Sequence, residues 1–316
     1  MRYKKLGKSG MEVSTLTIGT WAMGGLGYGS VEKNECIDAV HTMIDQGVNH
    51  IDTAWVYGLG AADKVVGEAI KGLRDKVMIT TKCGFRNPEN GTGPNYPDCS
   101  PQWFTKCFEE SLRNLGTDYV DFFLVHVPDE KVPFEKTAEC ILKWQEQGKI
   151  RFLGVSNFGI EHMNEMGKFI DITAVQSGYS MIAREEEDNM IWAKEKDIGV
   201  MTHSSLASGL LTGAIRKMPD LPEDDIRKLY RYPHFMEPKF SQTMALLGVL
   251  DEIAAKHHVP VAQVSLNWNT QKEFVSTSLV GVRNVKEAVE NCESTKWSLT
   301  QEDMKIIDKA IQETVR

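Results

Sequence analysis

The 316-residue chain is predicted to fold as a single α/β domain, a (β/α)8 TIM barrel spanning residues 1–316. Short apolar runs alternate with amphipathic stretches about eight times, and such alternation builds a parallel sheet clad in helices. No Gly/Ser-rich or Pro-rich linker divides the sequence, so the length suits one large domain. The competing arrangement for the same alternation is a doubly wound open sheet.

The elements follow in order. Leu16 to Thr20 reads as a short strand, and Val31 to Gln46 as a helix with Cys36, Ile37, Val40, Met43 and Ile44 on one face. Strand Val48–Asp52 precedes a helix from Ala61 to Lys71, and strand Val77–Cys83 follows it. Ser100 is an N-cap with Pro101 at the first helical position, opening a helix to Leu115. Next come strand Val120–His126, helix Pro133–Gln147, strand Phe152–Val155 and a helix after Phe158. Strand Ile172–Val175, helix Glu185–Lys196 and strand Gly199–His203 continue the pattern. After a polar insert come helix Ser241–His257, a shorter helix from Val261, strand Ser278–Val280 and helix Val285–Cys292. The last helix spans Leu299 to Thr314, with Thr300 and Asp303 placed as a capping pair. Two long loops, 85–99 and 214–239, interrupt this rhythm, and long loops in compact domains usually carry function.

Composition narrows the function classes. The net charge of -8 argues against nucleic acid or an anionic membrane surface as partner. No apolar run reaches about 18 residues, so no membrane span is expected. The N-terminal MRYKKLGKSG lacks the apolar segment of a secretory signal. Six scattered cysteines without a CxxC pair fit reduced thiols of a cytoplasmic protein. There is no HExxH, and His257 and His258 are adjacent on a helix, so no metal site is expected. GVSNF lacks the second glycine of a GxSxG elbow, and GGLGYG at 24–29 does not fit GxGxxG.

The chemistry collects where strands end. Asp52 closes the second strand and Tyr57 follows in the loop; Lys82 closes the third strand and His126 the fourth. Asp52 is a carboxylate at the end of a buried run and needs a cation, which Lys82 supplies. An ammonium near a phenol stabilises phenolate and makes Tyr57 the better acid. His126 can donate a hydrogen bond to a carbonyl oxygen. The later strand ends differ. Ser156-Asn157 and Gln176 offer small polar groups. The Ser/Gly-rich run 204–209 offers backbone N–H groups for phosphate, and Gly281-Val282-Arg283 opens a helix. Half of the barrel mouth reads as proton chemistry and half as a nucleotide cradle.

These residues carry a resemblance. The chain resembles the aldo-keto reductases through GTWAMGG (19–25), DTAWVYG (52–58), LGTDYVDFFLVH (115–126), GVSNF (154–158), SSLASGLLTG (204–213), LVGVRNVKEAVEN (279–291) and the terminal WSLTQEDMKIID. The resemblance covers nearly the whole chain. It implies a (β/α)8 barrel and a catalytic tetrad of Asp52, Tyr57, Lys82 and His126. It implies NADP(H) or NAD(H) as cofactor. The nicotinamide pocket would be formed by Thr20, Trp21, Asp52, Ser156, Asn157, Gln176 and the stacking ring Tyr179. A pyrophosphate loop falls on Ser204, Leu206, Gly209 and Leu211, and an adenosine end on Gly281, Val282, Arg283, Glu287 and Asn291. The substrate mouth would be lined by Trp21, Trp55, Tyr57, His126 and Val127. The chain departs from the family at Trp55, at Val127 where Trp is frequent, at His203 where Tyr is common, and at Ser205 where Pro is usual. It also carries Glu287 where Gln is common. Arg283 and Lys286 lean towards NADP(H), whereas Glu287 leans towards NAD(H) or dual use. The expected activity is hydride transfer between NAD(P)(H) and a small carbonyl or alcohol, with sugars and polyols suited to a Trp-rich mouth. A cofactor-binding regulatory subunit and a redox-assisted sugar epimerase or eliminase are the alternatives.

Overall fold

In the computed structural model, residues 1–25, 31–88, 94–223 and 225–315 are described. Part of GGLGYG and part of loop 85–99 lie outside them. Eight parallel strands close into a barrel: β3 (Leu16–Gly19), β4 (His50–Asp52), β5 (Met78–Cys83), β8 (Val120–Val125), β9 (Ile150–Ser156), β10 (Ile172–Gly178), β11 (Gly199–His203) and β12 (Thr277–Gly281). β12 pairs back onto β3, with Ser278 opposite Leu16 and Gly281 opposite Gly19. The open-sheet alternative is thereby excluded.

Helices connect successive strands: α1 (Lys33–Asp45), α2 (Ala61–Ala69), α3 (Pro101–Leu115), α4 (Phe134–Glu146), α5 (Ile160–Met166), α6 (Glu187–Glu195), and α8 (Lys239–His257) with α9 (Val261–Thr270). α10 (Val285–Glu293) and α11 (Gln301–Thr314) follow the last strand. The expected caps form: Ser100 accepts from Trp103 N with Pro101 in the first turn, and Thr300 and Asp303 make a reciprocal capping box. The first helix starts at Lys33 rather than Val31, because its cap position is Glu32.

Side chains alternate across each strand, so every second residue points into the barrel. The outward set, including Ile51, Ile79, Phe123, Val155 and Val200, packs under the helices. The inward set is layered. An apolar cluster of Leu6, Val13, Met78, Phe122, Leu124, Ala174, Met201 and Leu279 fills the lower part. His50 then bonds Thr17 through Nδ1 (2.9 Å) and Thr80 through Nε2 (2.7 Å), while Thr17 meets Thr277 at 2.7 Å. Above these, Asp52, Lys82 and Gln176 meet at the C-terminal ends of β4, β5 and β10.

Two features had no periodic signal. A short hairpin, β1 (Tyr3–Lys5) with β2 (Glu12–Ser14), carries Leu6 into the lower barrel. A Cβ built on Gly199 would stand 2.5 Å from Leu6 Cδ1, so the glycine makes room for that side chain. The long loops are also structured. β6 (Phe85–Arg86) pairs with β7 (Tyr96–Pro97), α7 (Ile226–Leu229) lies in the insert, and Asn95 N donates to Tyr230 Oη at 3.1 Å. The two loops therefore touch. No helix among the described residues is long and apolar enough to cross a membrane.

Leu6 is fully buried, so Leu6→Ala is expected to lower unfolding stability by about 2–5 kcal/mol. Urea unfolding followed by Trp fluorescence measures this; a loss below the range for a buried leucine would mean the barrel floor does not depend on the hairpin.

Candidate active site

Alternation places the charged groups. His50 and Asp52 share the inward face of β4, and Thr80 and Lys82 that of β5, while His126 continues the inward row of Phe122 and Leu124. Lys82 Nζ donates to Asp52 Oδ1 at 2.5 Å and to Thr53 O at 2.9 Å. Gln176 Nε2 donates to Asp52 Oδ2 at 2.7 Å from across the barrel. Burial pushes the Asp52 carboxyl up and pulls the Lys82 ammonium down, and their contact opposes both shifts.

Lys82 Nζ stands 5.0 Å from the centroid of the Tyr57 ring. The Tyr57 ring stacks on Trp21 (5.6 Å, 11°) and meets His126 edge-on at 5.9 Å. Two glycines permit this placement. A Cβ on Gly24 would come within 2.7 Å of Tyr57 C, and one on Gly58, at φ +66°, within 2.1 Å of Gly24 O. His126 is held by its backbone N–H to Cys83 O (2.8 Å) and packs edge-on against Phe85 at 4.8 Å. Burial, followed by the charge of Lys82, holds its imidazole well below the usual histidine value, so the ring is neutral at pH 7. Its Nδ1 is buried without a hydrogen-bond partner.

The other half of the mouth is small and polar. Thr20 Oγ1 donates to Asp52 O at 3.0 Å. Asn157, at φ +59°, donates from Nδ2 to His126 O (2.9 Å) and Ser156 Oγ (3.1 Å). Ser204, Ala207, Ser208 and Gly209 all have positive φ, a backbone run suited to turning N–H groups towards an anion. Leu206 is half-buried. The Leu211 and Val282 side chains are fully buried, so only their backbones can face a ligand. Asn291 Nδ2 braces Gly281 O at 3.4 Å. Asn284 caps α10, and Glu287 accepts from Arg283 N (2.9 Å) and Arg283 Nη2 (2.8 Å). These groups fit a dinucleotide: polar side chains for the nicotinamide end, a positive-φ backbone run for phosphate, and a cation at the start of a helix.

Two expectations are corrected. Tyr179 was expected to stack on the nicotinamide. Its ring is fully buried, stacked on Trp268 at 5.4 Å and edge-on to Phe274. The physical reason is parity: Gln176 points inward on β10, so Tyr179, three residues on, points outward. The ring at the mouth is His203, inward with Met201 on β11. Its Nδ1 lies 3.0 Å from Ser204 Oγ and its Nε2 3.3 Å from Asn157 Oδ1. Burial, then Lys82, pulls it to about 4. Trp55 was expected to line the substrate mouth. It turns towards α3 instead, edge-on to Trp103 at 5.2 Å and donating to Glu110 Oε2 at 2.7 Å. Phe85, not expected from the sequence, takes an aromatic place beside His126; Trp103 Nε1 holds its carbonyl at 3.0 Å. The Val127 carbonyl accepts from Cys99 Sγ at 3.4 Å. Among the described residues no group of His, Cys, Asp or Glu could hold a metal ion.

Buried neutral histidines set a pH dependence. His50 is pulled to about 3 by burial, so between that value and about 6.5 it binds a proton only on unfolding. Its folded value is depressed, so its contribution is present above about 6.5 and lost as pH falls, with a slope of about 1.4 kcal/mol per pH unit. His126 and His203 act in the same direction. Asp63, raised to about 6, opposes them between there and its unfolded value. Urea unfolding at pH 7 and pH 5 should show lower stability at pH 5; equal stability would mean that the histidines are already charged in the native state.

Comparison with known proteins agrees with this architecture. The aldo/keto reductase family model matches residues 15–312. Aldo-keto reductase YhdN of Bacillus subtilis is 33% identical over all of this chain and 95% of its own length. The NADH-specific methylglyoxal reductase of Escherichia coli is 27% identical over 96% of each chain. Among solved structures, the glycerol dehydrogenase AKR11B4 of Gluconobacter oxydans superposes with a TM-score of 0.87 at 29% identity, covering all of this chain and 95% of that one. The chain belongs to the aldo/keto reductase family and is an NAD(P)-dependent oxidoreductase.

Proposed function

We propose that the chain interconverts a small hydroxylated aldehyde or ketone and its alcohol, with Tyr57 as the acid–base residue. The observation that carries this reading is the Lys82 ammonium, pinned by Asp52 and standing 5.0 Å from the Tyr57 ring. Bound NAD(P)H supplies the hydride. Tyr57 hands its proton to the carbonyl oxygen, and the positive charge of Lys82 stabilises the phenolate left behind. In alcohol oxidation the phenolate takes the proton back. Neutral His126 donates a hydrogen bond that orients the carbonyl oxygen without competing as an acid. Asp52 keeps Lys82 charged, and Gln176 keeps Asp52 in place. Thr20, Ser156, Asn157 and His203 are assigned to the nicotinamide end, and Trp21 and Phe85 to the substrate walls.

The substrate class rests on two supports. Aromatic faces at Trp21 and Phe85 suit the C–H surfaces of small polyols. Two similar proteins carry the names glycerol dehydrogenase and methylglyoxal reductase, both for small oxygenated compounds. For the cofactor, Glu287 already occupies the Arg283 guanidinium. A 2'-phosphate would have to displace a carboxylate that repels it, whereas a free ribose hydroxyl can donate to Glu287. NADH is therefore proposed to be accepted alongside NADPH.

Tyr57→Phe is expected to keep cofactor binding and to lose about 10²–10⁴-fold of kcat. Fluorescence titration of the cofactor and NAD(P)H absorbance with glyceraldehyde-type substrates measure both; full turnover in this variant sinks the assignment. Glu287→Gln is expected to raise the ratio of kcat/KM with NADPH to that with NADH about 10-fold, the scale of one ionic contact. An unchanged ratio would remove Glu287 from cofactor choice.

A further inference from the structure

Asp63 is a second buried carboxylate close to Lys82. It lies in the first turn of α2, is fully buried, and accepts from Thr53 Oγ1 (2.7 Å) and Ser111 Oγ (2.7 Å). Both donors are neutral hydroxyls, which could equally serve an amide; a charge there costs desolvation that they repay only in part. Its link to the site is Thr53. The same residue that donates its hydroxyl to Asp63 offers its carbonyl to Lys82 Nζ at 2.9 Å. The Thr53 N–H is tied to Thr80 O at 2.9 Å, so backbone and side chain are both pinned. The charged and titratable groups facing Asp63 are Lys82 and Cys83 from β5, with Asp52 beyond the ammonium. Ser111 is the group facing it from α3.

We infer that Asp63 is a positioning residue for Lys82: through Thr53 it fixes the carbonyl that receives the ammonium, and it adds a second negative charge behind it. The inference rests on Tyr57 being the acid–base group whose proton Lys82 controls. Asp63 is pushed up only to about 6, so it is ionised at pH 7 and above. An anion at this depth holds protons on its neighbours. Removing it lets the proton shared within the Tyr57–Lys82 site leave at lower pH. A residue that merely packed α2 against α3 would change stability and leave that titration in place.

The test is the pH profile of kcat for carbonyl reduction by the holoenzyme. Asp63→Asn should move the alkaline limb down by at least about half a pH unit, with KM for the cofactor unchanged. Thr53→Val should lower kcat about 10-fold, and Thr53→Ser, which keeps the hydroxyl, should restore it. If Asp63→Asn does not fold, Ser111→Ala strips one donor from Asp63, raises its titration, and should move the acid limb of the same profile upward. Profiles of Asp63→Asn or Ser111→Ala that superimpose on the parent, with only the melting temperature changed, overturn the inference. Tyr57→Phe separates the two levels: an active variant removes the underlying reading, whereas an inactive one beside an unshifted Asp63→Asn profile removes Asp63 alone.

Discussion

The contact between Lys82 and Asp52 is the constraint around which the upper barrel is arranged. Each charge taken alone into a dry interior costs several kcal/mol, and deleting one partner of such a pair typically costs about 3–5 kcal/mol. The pair is therefore stable only if the remaining donors and acceptors are met. Gln176 donates to the second oxygen of Asp52 from the far wall, and the Thr53 carbonyl accepts a second hydrogen bond from Lys82 Nζ. The Gln176 contact could not form in an open sheet, because β4 and β10 face each other only when the strands close, whereas Thr53 and Lys82 meet across the adjacent pair β4–β5.

Layering makes this expense useful. The hairpin and the apolar cluster fill the barrel beneath the charges with buried apolar side chains. The His50–Thr17–Thr80–Thr277 layer satisfies itself without a net charge, since burial keeps His50 neutral. Lys82 then acts across a medium of low dielectric, where its effect on a phenol ring at 5.0 Å is far larger than in water. Burial first, and the Lys82 charge second, depress His126 and His203. Burial and this cation together keep both imidazoles neutral, and the same charge is the one the proposed mechanism uses on Tyr57.

The barrel was legible in the sequence because its signal is periodic: apolar strand runs and amphipathic helices repeat, and caps at Ser100 and Thr300 mark helix starts. Asp52, Lys82 and His126 were legible for the same reason, each ending an apolar run. The two misplacements came where a run had already ended. The resemblance alone implies a stacking role for Tyr179, although it stands three residues beyond the inward-facing Gln176, a spacing that reverses the face. Trp55 was placed by its position between Asp52 and Tyr57, although a tight turn, with Gly60 N bonded to Trp55 O at 2.6 Å, aims it at α3. His203 could have been found by counting two from Met201. The hairpin could not, since three-residue strands carrying Lys and Glu have no period to read. Phe85 and Asp63 acquire their partners only through the tertiary fold.

What surrounds the reacting centre obeys different rules from the centre itself. The buried charges sit on strand ends whose positions the hydrogen-bonded barrel dictates. Phe85 opens a loop held by Trp103 and by the Arg86–Asp98 ion pair at 3.1 Å, and that loop meets the 214–239 insert through Asn95 and Tyr230. Such contacts are few and lie near the surface, so they can change without disturbing the ion pair beneath. On the proposed reading, loop residues such as Phe85 set the substrate walls, while the ion pair that acts on Tyr57 is held at strand ends. Val127, in the segment after β8, departs from the family's usual pattern in such a place, whereas His203 closes β11 and Ser205 is buried against Ser278.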